Sequence, residues 1–325
     1  MDRGNIINDS VLLGSAALIG VPAARAAGNQ EKIMIEHEQN GTPHKGRVLA
    51  AIQAHLDDIP FKCAGTVAKL INEGYTGYLI RTSNDEKAGG GTPGENILSN
   101  AQENLKMAKA AGFADVIDLY YRNHRMDDVS SIELRARLIL LLRALKVDTV
   151  FTFNPWGSYE ENPDHWVTAR AVEGACWMAG GYLDYPEHFE AGYMPHSVKE
   201  RYYFVQRPGQ PFNRVVDTSS TIEKKIDAIV ECRSQGGGNR GSQLRNRLAR
   251  EGKRLPFLGG GDRTADREYV RRYLITPYKE LGEQYGFEYA EKFYYTSSGS
   301  YHVDHNRQGI KSLIEEDIKK HGVKL

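Results

Sequence analysis

Cysteine is scarce in this chain. Its three cysteines, Cys63, Cys176 and Cys232, are too few and too scattered for a disulfide framework or a Cys-x-x-Cys zinc site. Any metal must therefore be held by histidine and carboxylate. Charge of one sign is missing too, since 42 Lys and Arg balance 42 Asp and Glu over 325 residues. That balance excludes the bulk positive surface on which non-specific nucleic-acid binding depends. No nucleic-acid partner is expected. The apolar run Val11 to Val21 (VLLGSAALIGV) is shorter than the about 20 residues that cross a bilayer, so no transmembrane span is expected. No Gly-x-Gly-x-x-Gly follows the first strand, which argues against a dinucleotide-binding site. After residue 30 there is no internal repeat and no low-complexity linker.

That short apolar run does fit the core of a signal peptide. Ala24, Ala26 and Ala27 supply an A-x-A-type cleavage site behind it, and Arg3 stands ahead of it as in a twin-arginine export signal lacking its second arginine. The reading is residues 1–27 as an export signal, with a periplasmic or extracellular mature chain, and 28–44 as an N-terminal extension. From Lys45 onward short apolar runs alternate with helical patterns, the signature of a parallel sheet covered by helices. Strands are expected at Arg47 to Ala54, Gly77 to Thr82, Asp115 to Tyr120 and Val147 to Phe153. Helices are expected at about Pro60 to Glu73, Asn96 to Ala111, Ile132 to Leu145 and Pro163 to Met178. Short aromatic strands follow at Tyr202 to Val205 and Phe293 to Tyr295, and Ser220 with Glu223 reads as a capping box. The fold class is α/β, a Rossmann-like, doubly wound, mostly parallel sheet over residues 45 to 180. We expect one domain, 45–300, with a C-terminal elaboration and a tail at 301–325.

Open parallel sheets place their sites at the carboxyl ends of the strands. After the first strand stands Ala54-His55-Leu56-Asp57-Asp58, and after the strand ending at Phe153 comes Asn162-Pro163-Asp164-His165. His55 and Asp58, three apart in a turn that starts a helix, can share a metal. Asp57 can reach a water beside it without being a ligand. His165, in the first turn of a helix that Pro163 suits, offers a third ligand. Two His and one carboxylate with an open position is a common hydrolytic zinc arrangement. The competing readings are an Asp N-cap ahead of Pro60 and an unremarkable surface or core histidine at 165.

These segments resemble the GlcNAc-phosphatidylinositol de-N-acetylase, or LmbE-like, deacetylases. That family reads A-H-P-D-D-E after its first strand and H-P-D-H later. The likeness extends to Thr82-Ser83-Asn84-Asp85, to Phe153-Asn154-Pro155-Trp156-Gly157 and to Cys232-Arg233-Ser234-Gln235, and covers roughly residues 45 to 297. It implies that His55, Asp58 and His165 bind zinc, although iron(II) suits the same set. Asp57 is then the general base in hydrolysis of an N-acetyl amide on an amino sugar or glycoside, a small-molecule or oligosaccharide substrate. The sequence departs from the family at Leu56, Ile59 and Asn162. Where the family has a histidine, Asn162 can donate a hydrogen bond but cannot transfer a proton, and as an asparagine it also suits a helix N-cap. Asn100, ahead of Glu103, stands where many members carry a substrate-contacting arginine. Asn100, Trp156, Tyr159 and Asp164 are the expected substrate contacts. Two alternatives stay open: an amidase on another acylated molecule, and a glycan-binding protein that has lost turnover.

Other features are read more plainly. Gly89 to Gly94 (GGGTPG) lacks the Lys-Ser/Thr of a phosphate loop and is taken as a rim loop. Arg240 to Arg254 is taken as a solvated, partly helical face that could meet an anionic glycan. His302 and His305 have metal-like spacing but are taken as a surface turn. Trp166 and Trp177 suit a core as well as they suit a sugar, Trp177 especially. The oligomeric state is not legible.

Overall fold

The strand β2, Val48–Gln53, is buried on both faces, as a strand covered by helices must be. Leu49 and Ala51 enter one core, Ala50 and Ile52 the other, with the period of two that a pleated strand imposes. Around it the computed structural model describes residues 33–298 and 304–322, the side chains of 304–311 aside. The apolar run Val11 to Val21, its cleavage site and His302 lie outside the described residues.

Eight strands form one sheet in the order β1-β7-β8-β6-β5-β2-β3-β4. They are β1 (Met34–Glu36), β2, β3 (Thr76–Ser83), β4 (Asp115–Tyr121), β5 (Thr149–Phe153), β6 (Glu200–Phe204), β7 (Arg214–Asp217) and β8 (Ala290–Ser297). All pairs are parallel except those of β8, which runs antiparallel between β6 and β7. β2 pairs with β3 on one side (Val48 opposite Thr76) and with β5 on the other (Leu49 opposite Thr149). The chain therefore winds outward from β2 to β4 and returns across β2 to β5, which opens a crevice at the carboxyl ends of β2 and β5.

The helices α1 (Asp58–Lys62), α2 (Ala64–Asn72) and α3 (Pro93–Ala111) cover one face, and α4 (Ser131–Ala144) and α5 (Pro163–Met178) the other. After the one-turn α6 (Glu187–Glu190) come α7 (Ile222–Glu231), α8 (Arg240–Arg250), α9 (Asp262–Tyr269), α10 (Thr276–Tyr285) and α11 (Asp304–His321). No described helix is long and apolar enough to cross a membrane.

Several expectations are corrected. The sheet does not stop at residue 180: β6, β7 and β8 join it, and β1 lies within the stretch read as an extension. The helix expected over Pro60 to Glu73 is two helices broken at Cys63, whose φ is −149°. The break is stabilised from afar. The Glu291 carboxylate of β8 accepts from the free amides of Gly65 (3.0 Å) and Thr66 (2.7 Å), while Lys225 of α7 donates to Phe61 O (2.7 Å) and pairs with Glu291 at 2.8 Å. A buried ion pair thus caps the end of α1 and the start of α2 together. The capping box at Ser220 does not form. α7 starts after Thr221 with no side-chain cap, and Glu223 instead pairs with Arg267 and Arg271. Trp177 is 81 % exposed, so it is not a core residue, whereas Trp166 packs against the α4/α5 core. His305 lies in α11 rather than in a turn.

Candidate active site

The turn after β2 is held by a carboxylate from the turn after β3. Asp85 accepts from the Leu56 amide at 3.1 Å and is itself paired with Arg81 at 2.7 Å, all of it buried. Asp58 accepts from the His55 amide at 2.7 Å, which closes the turn and sets the two side chains beside each other. Asp57 occupies the position before α1 but makes no side-chain capping bond, so the plain N-cap reading does not describe it.

Across the crevice Asn162 does cap α5: its Oδ1 accepts from the Asp164 amide at 3.0 Å. With the oxygen engaged, the Asn162 amide nitrogen faces His165 Nε2 at 3.5 Å. Pro163 takes the first helical position, and the first turn turns Asp164 inward and His165 into the crevice. The His165 ring stacks on Phe153, with centroids 4.3 Å apart.

His55, Asp58 and His165 come together, with one ligand atom from each lying within 4.8 Å of the others. The hydrogen bonds assign the ring protons. His55 Nε2 donates to Asp164 at 3.0 Å, and His165 Nδ1 donates to Glu160 at 3.1 Å. The two remaining nitrogens, His55 Nδ1 and His165 Nε2, face each other 3.0 Å apart. Asp58 adds its oxygens at 3.7 Å and 3.4 Å. Two converging imidazole nitrogens and a carboxylate make a site for one cation, either a metal or the proton that His55 otherwise carries. Metal-binding histidines characteristically donate their other N–H to a carboxylate, as both do here. The donor set fits a divalent metal. Electrostatics agree: burial alone would lower the His55 pKa, but the bond to Asp164 and the charge of Asp58 overrule it and raise it to about 9. This pocket favours positive charge.

The cavity around these ligands has a volume of about 690 Å³, and its walls include Asp57, Lys62, Asn123, His124, Gln206, Arg207 and Gln235. Burial and the neighbouring Asp58 push Asp57 up to about 6, against the pull of His55. Gly236 is pressed against it. With φ +71°, a Cβ at Gly236 would lie 2.8 Å from the Asp57 Cβ, so only glycine lets that loop approach. The loop is fastened by Glu103, which accepts from the amides of Arg233 (2.9 Å) and Ser234 (2.8 Å).

Four expected substrate contacts are placed otherwise. Asn100 is fully buried and donates to the carbonyls of Ala88 (2.7 Å) and Asn96 (2.8 Å), while accepting from Gln235. It supports the wall from behind. Asp164 is also fully buried. Besides His55 it accepts from the His124 amide (2.7 Å) and from Asn123 (3.1 Å), so it orients the His55 ring from behind the cavity wall. Trp156 packs edge-on against Tyr203, and Tyr159 is 81 % exposed; neither lines the cavity. Sequence reasoning missed Glu160, His124, Gln206 and Arg207. Three of these follow the ends of β4 and β6, so the strand-end rule applied to every strand would have flagged them. Glu160, held by Arg207 at 3.2 Å, has no local signal.

Comparison with known proteins agrees with this geometry. Residues 50–176 match the family model PIG-L, GlcNAc-PI de-N-acetylase. The diacetylchitobiose deacetylase of Thermococcus kodakarensis is 27 % identical over 191 residues, 57 % of this chain and 68 % of that protein. The N,N'-diacetylchitobiose deacetylase of Pyrococcus horikoshii superposes with a TM-score of 0.62 at 22 % identity, covering 79 % of this chain and 86 % of its own. The 4-carboxy-2-hydroxymuconate hydratase GalB of Pseudomonas putida superposes at 0.56 with 16 % identity, covering 77 % and 96 %. The fold is thus shared by more than one chemistry, and function has to be argued from the site.

Proposed function

The chain carries a PIG-L family domain, and from that premise we propose that it is a metal-dependent N-deacetylase that removes the acetyl group from an N-acetylated amino sugar or glycoside. The observation that carries the proposal is the convergence of His55, Asp58 and His165, with Asp57 beside them and free of any capping role. The Thermococcus relative, named for deacetylating a chitin disaccharide, supports an acetamido sugar as substrate.

His55 Nδ1, His165 Nε2 and an Asp58 oxygen would hold the metal, zinc or another divalent ion. Bound there, it supplies Lewis acidity to an acetamide carbonyl and acidifies water. Asp57 takes the proton from the attacking water and delivers it to the amine nitrogen as the C–N bond breaks, leaving acetate and a free amino sugar. Its carboxylate serves because it is not a ligand and retains its basicity. With Oδ1 tied to the helix, Asn162 directs its amide N–H into the cavity, where it can donate to the negative charge developing on the acetamide oxygen. An amide cannot shuttle a proton, so both transfers fall to Asp57. Asp164 and Glu160 keep the two rings in the tautomers that the metal needs. We also propose export of the enzyme, on the strength of Val11 to Val21 and the alanines behind it; N-terminal sequencing of secreted protein tests this.

The experiment is metal analysis together with acetate release from N-acetylglucosamine and diacetylchitobiose. One metal per chain is expected, with turnover lost on chelation. Asp57→Asn should lower the rate by about 10²- to 10⁴-fold with metal content unchanged. Undiminished turnover in that variant, or a chain active without stoichiometric metal, refutes the mechanism.

A further inference from the structure

One face of helix α8 carries arginines that pair with no described carboxylate. Arg240, Gln243, Leu244, Arg247 and Arg250 recur at helical spacing and, with Tyr269 of α9, line a cavity of about 630 Å³. Neighbouring arginines are neutralised: Arg245 by Asp262 (2.5 Å), Arg233 by Asp266 (3.0 Å), Arg263 by Glu231 (2.7 Å), Arg271 by Glu223 (2.7 Å). Among the described residues no ion pair reaches Arg240, Arg247 or Arg250. Since the whole chain is neutral, this face is not the overflow of a basic protein.

The walls are firmly set. Gly241 lies so close to α9 that a Cβ there would be 1.9 Å from Ala265 O, and the Ser242 amide donates to Asp266 at 2.6 Å. The groove also touches the catalytic cavity. Arg240 lines both, and its guanidinium lies over the backbone of Gly237, where a Cβ would meet Nε at 2.5 Å.

The geometry points to an anion-recognising extension of the active site: a groove along α8 that takes the negatively charged sugars of an oligosaccharide whose N-acetylated unit lies at Asp57. This rests on the deacetylase reading above. A guanidinium matches carboxylate or sulfate bidentately, and an aromatic ring in the groove wall, that of Tyr269, suits contact with a pyranose. At 1.5 Å of rise per residue, Arg240 and Arg247 stand about 10 Å apart along the helix, so they address charges on different sugars and not one small anion. A single-stranded nucleic acid would require several aromatic platforms for its bases, and this groove has one.

The test is calorimetric binding to the full chain, paired with acetate release on the same ligands. These are a hexasaccharide of alternating glucuronate and N-acetylglucosamine, its carboxyl-reduced neutral counterpart, an O-sulfated chitohexaose and a single-stranded oligonucleotide of equal charge. The charged sugars should bind about tenfold more tightly than the neutral one, as a few exposed ion pairs allow. The tighter of the two identifies the anion. That preference should vanish in high salt and in Arg247→Gln/Arg250→Gln, a variant checked by its melting curve; if the variant misfolds, the salt dependence of the parent decides. Equal affinity for charged and neutral sugars, or an oligonucleotide bound as tightly as the glycan, overturns the proposal. Arginine-dependent glycan binding without acetate release from any ligand or from N-acetylglucosamine upholds the groove and removes the deacetylase reading. Acetate release blind to charge does the reverse.

Discussion

Glu160 shows how much of this site depends on a residue that touches no ligand position. It holds His165 in one tautomer by accepting from Nδ1 at 3.1 Å, and Arg207 and Gln206 hold it in turn. Burial would raise its pKa, but the bond from His165, with those from the Asn162 amide and Arg207, outweighs that and brings it down to about 2. Losing an outer-shell partner of this kind costs about 10- to 100-fold in metal affinity. Glu160→Gln is expected to show that loss in a competition titration with a chelator while the chain stays folded. Unchanged affinity would mean that His165 needs no orienting partner. The local motifs were legible at this scale because each comprises neighbours in one turn. What was not legible was the assignment of Asn100 and Asp164, since spacing reports proximity along the chain and not which side of a turn a side chain faces.

At the scale of elements, the break at Cys63 is the clearest case of a boundary set from outside. Between Pro60 and Glu73 only Gly65 weakens a helix, and it lies inside the second one rather than at the break, so the expected single helix was the sound local reading. Lys225 and Glu291, both fully buried, override it by capping two helix ends at once. Removing one charge of a buried pair strands the other, a loss of about 3 to 5 kcal/mol. Glu291→Gln should therefore lower the unfolding free energy measured by urea denaturation by that amount. Adding Lys225→Met should recover part of it, and a single variant as stable as the parent would contradict the capping role. Because α1 begins at Asp58, the same variant should also weaken metal binding.

For the whole molecule, Glu200 joins the sheet's two halves at the end opposite the site. It accepts from Arg47 ahead of β2, Tyr75 ahead of β3 (3.2 Å), Thr149 of β5 (3.0 Å) and Tyr295 of β8 (2.8 Å). Burial raises its pKa, but the Tyr295 bond and the Arg47 charge outweigh this and set it below the ordinary glutamate value. A carboxylate depressed in the folded state contributes stability above its unfolded pKa and loses it as pH falls through the folded one. Glu200→Gln should thus be about 2 kcal/mol less stable at pH 7, as expected for a bond to a charged group, with the gap closing in acid below the normal carboxylate range. Thermal melts of both proteins across pH check this, and a gap that persists in acid would refute it. Chelation should lower the melting point of the metal-loaded parent as well, since a ligand bound only by the folded state adds to its stability.

The sequence by itself determined the strands of the first half of the sheet, its doubly wound class and the two short motifs that carry His55, Asp57, Asp58 and His165. Apolar runs, turn residues and motif spacing act over a few residues, so they are visible without the fold. Only the tertiary structure decided the strand order about β2, that β1, β6, β7 and β8 complete the sheet, that Asp164 and Glu160 orient the two histidines, and that Asn162 caps a helix while facing the cavity. It also decided that the arginines of α8, although they sit in one basic run, divide into paired and unpaired. Each of these turns on contacts between residues far apart in the chain, where burial and the satisfaction of charge select the partner and local pattern carries no trace of it.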